Sequence, residues 1–306
     1  MNVLIAGGTG FLGRALIKKL INANHSIVLL SRSAHQSDTA VPSHVRVERW
    51  DAKSAGNWSR RVNEADAIIN LTGESIGGKR WTDRQKELIL SSRIDSTRAI
   101  VESIRQADRK PHVFISQSAV GYYGNVPEED LTEGQSPGND FLARVCTQWE
   151  DEARKAESLG VRVVLPRTGV VIDKNGGALP RFFLPFNLFI GGPLGSGRQW
   201  FPWIHLADEI DALIFALENK NLSGPVNLAA PEHVTMKQFC AALGTGMHRP
   251  SWAPVPGFVL RILLGEMAGP LLLGGQKVVP KKLTEAGFQF RFPTVAAALQ
   301  DILHSA

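Results

Sequence analysis

Cysteine is nearly missing from these 306 residues: Cys146 and Cys240 stand alone, which excludes a disulfide framework and a cysteine-based metal site. Tyrosine is as scarce, so any phenol that handles a proton must be Tyr122 or Tyr123. No basic run exists either. The 34 Lys and Arg and 29 Asp and Glu alternate along the chain, and a net charge of +5 gives weak attraction to anionic ligands, not nucleic-acid binding. Long apolar runs are absent too. The most lipid-like stretch, Phe258 to Leu273, is broken by Arg261, Glu266 and Pro270, so no bilayer span and no membrane partner is expected. There is no signal peptide, and the expectation is a cytosolic protein. No internal repeat or low-complexity segment appears. At 43% hydrophobic and 21% charged, the chain is ordinary globular material, long enough for a large core.

What is present begins at once, with Ile5-Ala6-Gly7-Gly8-Thr9-Gly10-Phe11-Leu12-Gly13. Asn2 to Ala6 reads as a short buried strand, and Phe11 to Ala23 has apolar residues at helical spacing. The glycines fit G-x-G-x-x-G as Gly8, Gly10, Gly13 and G-x-x-G-x-x-G as Gly7, Gly10, Gly13. Between a strand and a helix they permit a tight turn, close approach to a pyrophosphate, and phosphate binding at the helix N-terminus. Gly7, Thr9, Gly10, Phe11, Leu12 and Gly13 are therefore expected at a dinucleotide. The second strand, Ser26 to Leu30, ends in Ser31-Arg32-Ser33, with no acid until Asp38. A guanidinium between two hydroxyls suits the extra phosphate of NADP(H), where an NAD protein would place a carboxylate.

Strand-like runs follow at Val45 to Trp50, Ala67 to Leu71, His112 to Ser116 and Val161 to Pro166. Helices are expected over Asp83 to Ala107, capped by Thr82, and over Asp140 to Leu159, closed by Gly160. This alternation predicts an α/β fold: a Rossmann-type, doubly wound parallel sheet with a smaller C-terminal substrate lobe. The expected division is residues 1–230 for the nucleotide-binding domain, with 171–204 contributing to the lobe, and 231–306 for the lobe itself. At the strand ends, Asp51 either accepts from the adenine amino group or caps a helix. Leu71, Thr72, Gly73 and Glu74 follow the fourth strand, where Gly73 lets backbone pass close to ribose and phosphates.

Together these residues resemble the extended short-chain dehydrogenase/reductases of the NAD(P)-dependent epimerase/dehydratase family. Ser116-Gln117-Ser118-Ala119, Arg167-Thr168-Gly169-Val170 and Trp203-Ile204-His205-Leu206-Ala207-Asp208 follow that family's order over about residues 1 to 230. Gly77 to Trp81, Ser92-Arg93-Ile94, Gly121-Tyr122-Tyr123-Gly124, Ser251-Trp252 and Gln276-Lys277-Val278 are similar to an epimerase-like subgroup with a C-terminal domain of unknown function at about 250–298. The resemblance implies that Ser116, Gln117, Arg167 and Gly169 lie along the cofactor and that Ser118 meets substrate oxygen.

It also exposes a departure. The family's active site uses a Tyr and, four residues later, a Lys at the start of the helix after the fifth strand. That register here reads Phe141-Leu142-Ala143-Arg144-Val145, and neither Phe nor Val can exchange a proton. Candidates for a rebuilt site are Ser118 with Tyr122 or Tyr123 as the acid, although a Gly-Tyr-Tyr-Gly loop also serves packing. Glu74, Arg80 and Arg93 are expected near the nicotinamide, with Glu74 and Arg80 either binding ligand or pairing to hold a loop. His205 is expected in structural hydrogen bonding and Asp208 as cap of a helix from Glu209 to Leu217. Arg181, Arg198 and Gln199 are candidate anchors for an anionic or sugar-like substrate in an aromatic-lined pocket. Two readings stay open: an NADP(H)-dependent oxidoreductase or epimerase-like enzyme, and a cofactor-binding sensor without catalysis. Monomer and homodimer are equally compatible with the charged faces of the two long helices.

Overall fold

The computed structural model describes residues 1–33, 42 and 45–304, so Asp38 lies outside the described residues. Its strands are β1 (Asn2–Ala6), β2 (Ser26–Ser31), β3 (Arg46–Arg49), β4 (Ala67–Asn70), β5 (Val113–Ser116), β6 (Ser118–Ala119), β7 (Val126–Leu131), β8 (Arg162–Thr168), β9 (Val170–Asp173), β10 (Gly176–Gly177), β11 (Trp203–His205), β12 (Gly224–Leu228) and β13 (Gln276–Val278). The central sheet runs β12-β8-β5-β4-β1-β2-β3, every neighbour parallel, with β6 adding to β8. From β1 the chain winds outward to β3, then returns to β4 on the other side. That reversal leaves a crevice beyond the C-terminal ends of β1 and β4, where doubly wound sheets hold ligands.

Alternation of side chains along each strand divides the core in two. Val3, Ile5 and Ile69 face α1 (Phe11–Asn22) and α5 (Leu206–Glu218), packing on Leu16, Leu20 and Leu213. Leu4, Ile68 and Phe114 face α2 (Asp83–Gln106) and α3 (Phe141–Arg154), packing on Ile100, Ile104 and Ala153. Thr82 caps α2 by accepting from the Gln85 N–H at 3.2 Å, and Asp140 caps α3 by accepting from Ala143 at 2.9 Å. The helical stretch expected to reach Leu159 ends earlier, at Arg154; a single 3₁₀ turn then leads to Gly160 at φ +79°.

Above the sheet, β10-β9-β11 form a second, three-stranded sheet. It packs with α4 (Pro180–Asn187), α6 (Met236–Met247) and α9 (Val295–His304) around Trp203, Phe186 and Phe239. The lobe does not stay apart from the lower domain. After α7 (Gly257–Leu264), β13 pairs with β7 in parallel, and α8 (Lys281–Glu285) sends Leu283 into the same core as β12, joined by Phe288. Among the described residues, no helix is long and apolar enough to cross a membrane.

Candidate functional site

The crevice starts at the turn after β1. Gly7 has φ +79°, and a Cβ there would sit 2.6 Å from the Leu71 carbonyl carbon, so conformation and space both demand glycine. At Gly13 a Cβ would land on the Gly8 Cα, and its absence lets α1 lie against the turn. Gly10 begins α1 with no side-chain cap, which leaves the first-turn N–H groups open beside the groove that Gly10 lines. This groove, of about 510 Å³, passes Gly7, Thr9 and Gly10, Ser31 to Ser33, Trp50, and Leu71 to Glu74. Ser31 is buried and its Oγ accepts from the Ser33 N–H at 3.2 Å, while Arg32 is exposed at the rim. The Gly-rich cradle, open helix end and cationic rim suit a phosphorylated dinucleotide by charge and shape.

Several expected residues stand elsewhere. The Phe11 side chain lies against Gly176 and Gly177 of the upper lobe and that of Leu12 packs into the core, so these two offer the groove only their backbone N–H groups. Asp51 accepts from the Ser54 hydroxyl at 2.6 Å and from the Lys53 and Ser54 N–H groups at 2.9 Å. Those bonds, the Ser54 hydroxyl first, hold its carboxyl down at about 2. Asp51 thus shapes a turn, and its neighbours Trp50 and Ala52 line the groove. Arg80 donates to the Ile262 carbonyl at 3.2 Å, away from Glu74, whose Oε1 faces the Gln85 amide at 3.4 Å. Arg181 reaches the Gly77 carbonyl at 2.8 Å. His205 makes the structural bond expected of it, accepting from the Ala207 N–H at 3.0 Å, and is itself the cap of α5. Asp208 is therefore not the cap. It is buried inside the first turn and accepts from the Arg291 and Phe292 N–H groups at 2.7 and 3.0 Å.

Arg93 marks the junction between groove and substrate side. Its guanidinium lies 2.9 Å from where a Gly73 Cβ would be, stacks 5.1 Å from Trp149, and donates to the Glu74 and Ile89 carbonyls. Beyond it opens a second cavity of about 150 Å³. The floor is Ala119 to Gly121 and Thr168 to Val170, one wall is Leu142, Val145, Cys146 and Trp149 of α3, and the roof is Gln199 to Pro202 with Pro270 to Leu272. Phe141 and Val145, expected from the sequence to stand where the family carries its Tyr and Lys, pack apolarly; Phe141 sits edge-on to Trp81 at 5.1 Å.

Ser118, Tyr123 and Arg167, with Tyr122 partly buried beside them, were expected at substrate or cofactor and form a cluster outside the lining of this cavity. Arg167 makes a bidentate ion pair with Glu150, at 2.8 and 2.9 Å, and Ser118 donates to Glu150 at 2.7 Å. Burial alone would lower the Arg167 pKa, but the Glu150 bonds and charge raise it further than burial lowers it. The guanidinium lies 3.4 Å from the Tyr122 ring. Tyr123 donates to Asn227 at 2.6 Å, and burial pushes its phenol up to about 12. A second cluster lies on the other side of the floor. The Gln117 amide donates to Thr168, and Thr168 and Glu209 share a hydrogen bond of 2.7 Å. Glu209 is fully buried, and that burial pushes its carboxyl up to about 8. Ser116 Oγ, Gln117 Oε1 and Glu209 Oε2 are buried there without a hydrogen-bond partner. Sequence reasoning passed over Glu150 and met Glu209 only as the start of a helix. The signal was a carboxylate on the apolar face of an amphipathic helix, where a charge needs a reason.

The NAD dependent epimerase/dehydratase family model matches residues 3–229, and the Domain of unknown function (DUF1731) model matches 255–302. The chain is similar to the epimerase family protein SH2119 of Staphylococcus haemolyticus, 41% identical over 98% of each chain. It is also 41% identical to the chloroplastic epimerase family protein SDR39U1 homolog of Arabidopsis thaliana, over 99% of this chain and 87% of that one. The crystal structure of human epimerase family protein SDR39U1 (isoform 2) with NADPH superposes with a TM-score of 0.89 at 33% identity, covering all of both chains.

Proposed function

This chain belongs to the NAD dependent epimerase/dehydratase family, and from that we propose that it is an NADP(H)-dependent oxidoreductase acting on a small molecule through a site without the Tyr-x-x-x-Lys pair. One observation carries the reading: the dinucleotide groove runs into a separate cavity at Arg93, so cofactor and substrate have adjoining places. Gly7 to Gly10 and the open end of α1 would hold the pyrophosphate, and Ser31, Arg32 and Ser33 the 2′-phosphate. Thr72 and Gly73 would face the ribose, with Thr72 fixed by its 2.6 Å bond to Asn70. Arg93 supplies a fixed cation at the junction, the role that no lysine fills at Val145. The bound cofactor supplies a hydride equivalent. The human relative solved with NADPH supports the choice of cofactor.

Fluorescence titration with NADPH and NADH tests this. The wild type should favour NADPH by at least ~10-fold, and Arg32→Ala should lose about 1.5–3 kcal/mol of NADPH binding, the value of a charge-assisted bond. Equal affinity for both cofactors overturns the NADP(H) assignment. The apolar packing of Phe141 on Trp81 favours a second reading, a cofactor-binding sensor. Tight NADPH binding with no turnover across aldehydes, ketones and sugar nucleotides would select it.

A further inference from the structure

The cavity beyond Arg93 is lined mainly by apolar side chains, and Gln199 and Trp149 turn their N–H groups into the protein, while Arg93 at its edge commits its Nη1 group to the Glu74 and Ile89 carbonyls. Gln199 points its amide at the Leu194 and Leu272 carbonyls, at 2.8 and 2.7 Å. Gln276 donates to the Gly124 carbonyl at 2.6 Å and Trp149 to Thr97 at 3.0 Å. At about 150 Å³ the chamber matches the size of an apolar cavity that admits benzene. A sugar nucleotide is several times larger and needs many donors.

One hydroxyl in the floor differs. The Thr168 oxygen accepts from the Gln117 amide and lies 2.7 Å from Glu209 Oε1. Among the described residues no cation pairs with Glu209, which is 0% exposed, so the acid is held neutral. A neutral Glu209 donates its own hydrogen to Thr168, and the Thr168 hydrogen is then free for a ligand in the chamber.

We propose that this chamber takes a small apolar carbonyl compound, about the size of benzaldehyde, with its oxygen on the Thr168 hydroxyl and Glu209 behind as the proton supply. The inference rests on the oxidoreductase reading above. With the hydride the cofactor supplies, the carbonyl carbon gains two electrons and a hydrogen, and the C=O π pair moves onto oxygen. That oxygen takes the Thr168 proton as the Thr168 O–H bond breaks. Glu209 returns a proton to Thr168 and recovers one from water when product leaves.

Saturation-transfer NMR of benzaldehyde on the full chain, with and without NADPH, is the test, read beside NADPH fluorescence and NADPH oxidation. The wild type should show saturated ring protons. Leu271→Trp, which fills the roof, should lose that signal and keep NADPH affinity within ~2-fold, a check that the chain is folded. Thr168→Val should keep the signal and slow benzaldehyde-dependent oxidation by ~10²-fold or more, with Thr168→Ser restoring it. No benzaldehyde signal from the wild type in either state, or displacement of benzaldehyde by UDP-glucose, overturns the proposal. Benzaldehyde saturation without NADPH binding would instead overturn the oxidoreductase reading and leave the chamber's ligand class standing.

Discussion

Glu209 is the side chain whose environment has the plainest measurable consequence. Its carboxyl titrates near 8 when folded, against 4.5 ordinarily, because burial disfavours the anion. Between those pH values unfolding releases a proton, so stability should fall as pH rises through that window. Glu209→Gln should flatten that fall, with the wild type losing on the order of 5 kcal/mol more across it in urea melts. A wild-type curve that rises over the same range would contradict the neutral acid. Arg167 and Glu150 behave oppositely. Each is buried because the other is there, and Glu150→Ala should cost about 3–5 kcal/mol by leaving a buried guanidinium unpaired. Circular-dichroism melts measure that loss. These two acids were invisible to motif reading because motifs name the residues that face a ligand. Ser118 and Tyr123 were visible for that reason, and here they hydrogen-bond Glu150 and Asn227.

The glycine turn and α1 were read almost to the residue, because a strand, a forced left-handed turn and a helix are written in consecutive positions. Gly13→Ala should push α1 off the turn, costing about 1–3 kcal/mol and weakening NADPH binding in the same titration. The central strands were legible too, since buried parallel strands are continuous apolar runs. Two elements were not. The β7–β13 pair joins segments about 150 positions apart, and no local pattern announces a partner at that distance. The start of α5 was misplaced because Asp208 has the chemistry of a cap, yet its acceptors serve Arg291 and Phe292, far along the chain.

Seen whole, the molecule is tied shut by its last fifty residues. Leu283 and Phe288 complete the core beneath β12, β13 extends β7, and α9 packs on α6. A chain ending at residue 250 should therefore fail to give a cooperative thermal transition, and Phe288→Ala alone should cost about 3–5 kcal/mol. The expected division at about 230 followed the end of the family resemblance, and one core joins Leu283 and Phe288 to residues before it. The committed amides around the small chamber carry a final consequence for the biology of such a protein. A small, mainly apolar pocket ranks its guests by bulk, and one methylene more or less is worth only about 1–3 kcal/mol. On the proposed aldehyde reading, turnover should decline gradually along a homologous series of aldehydes, with selectivity set by fit.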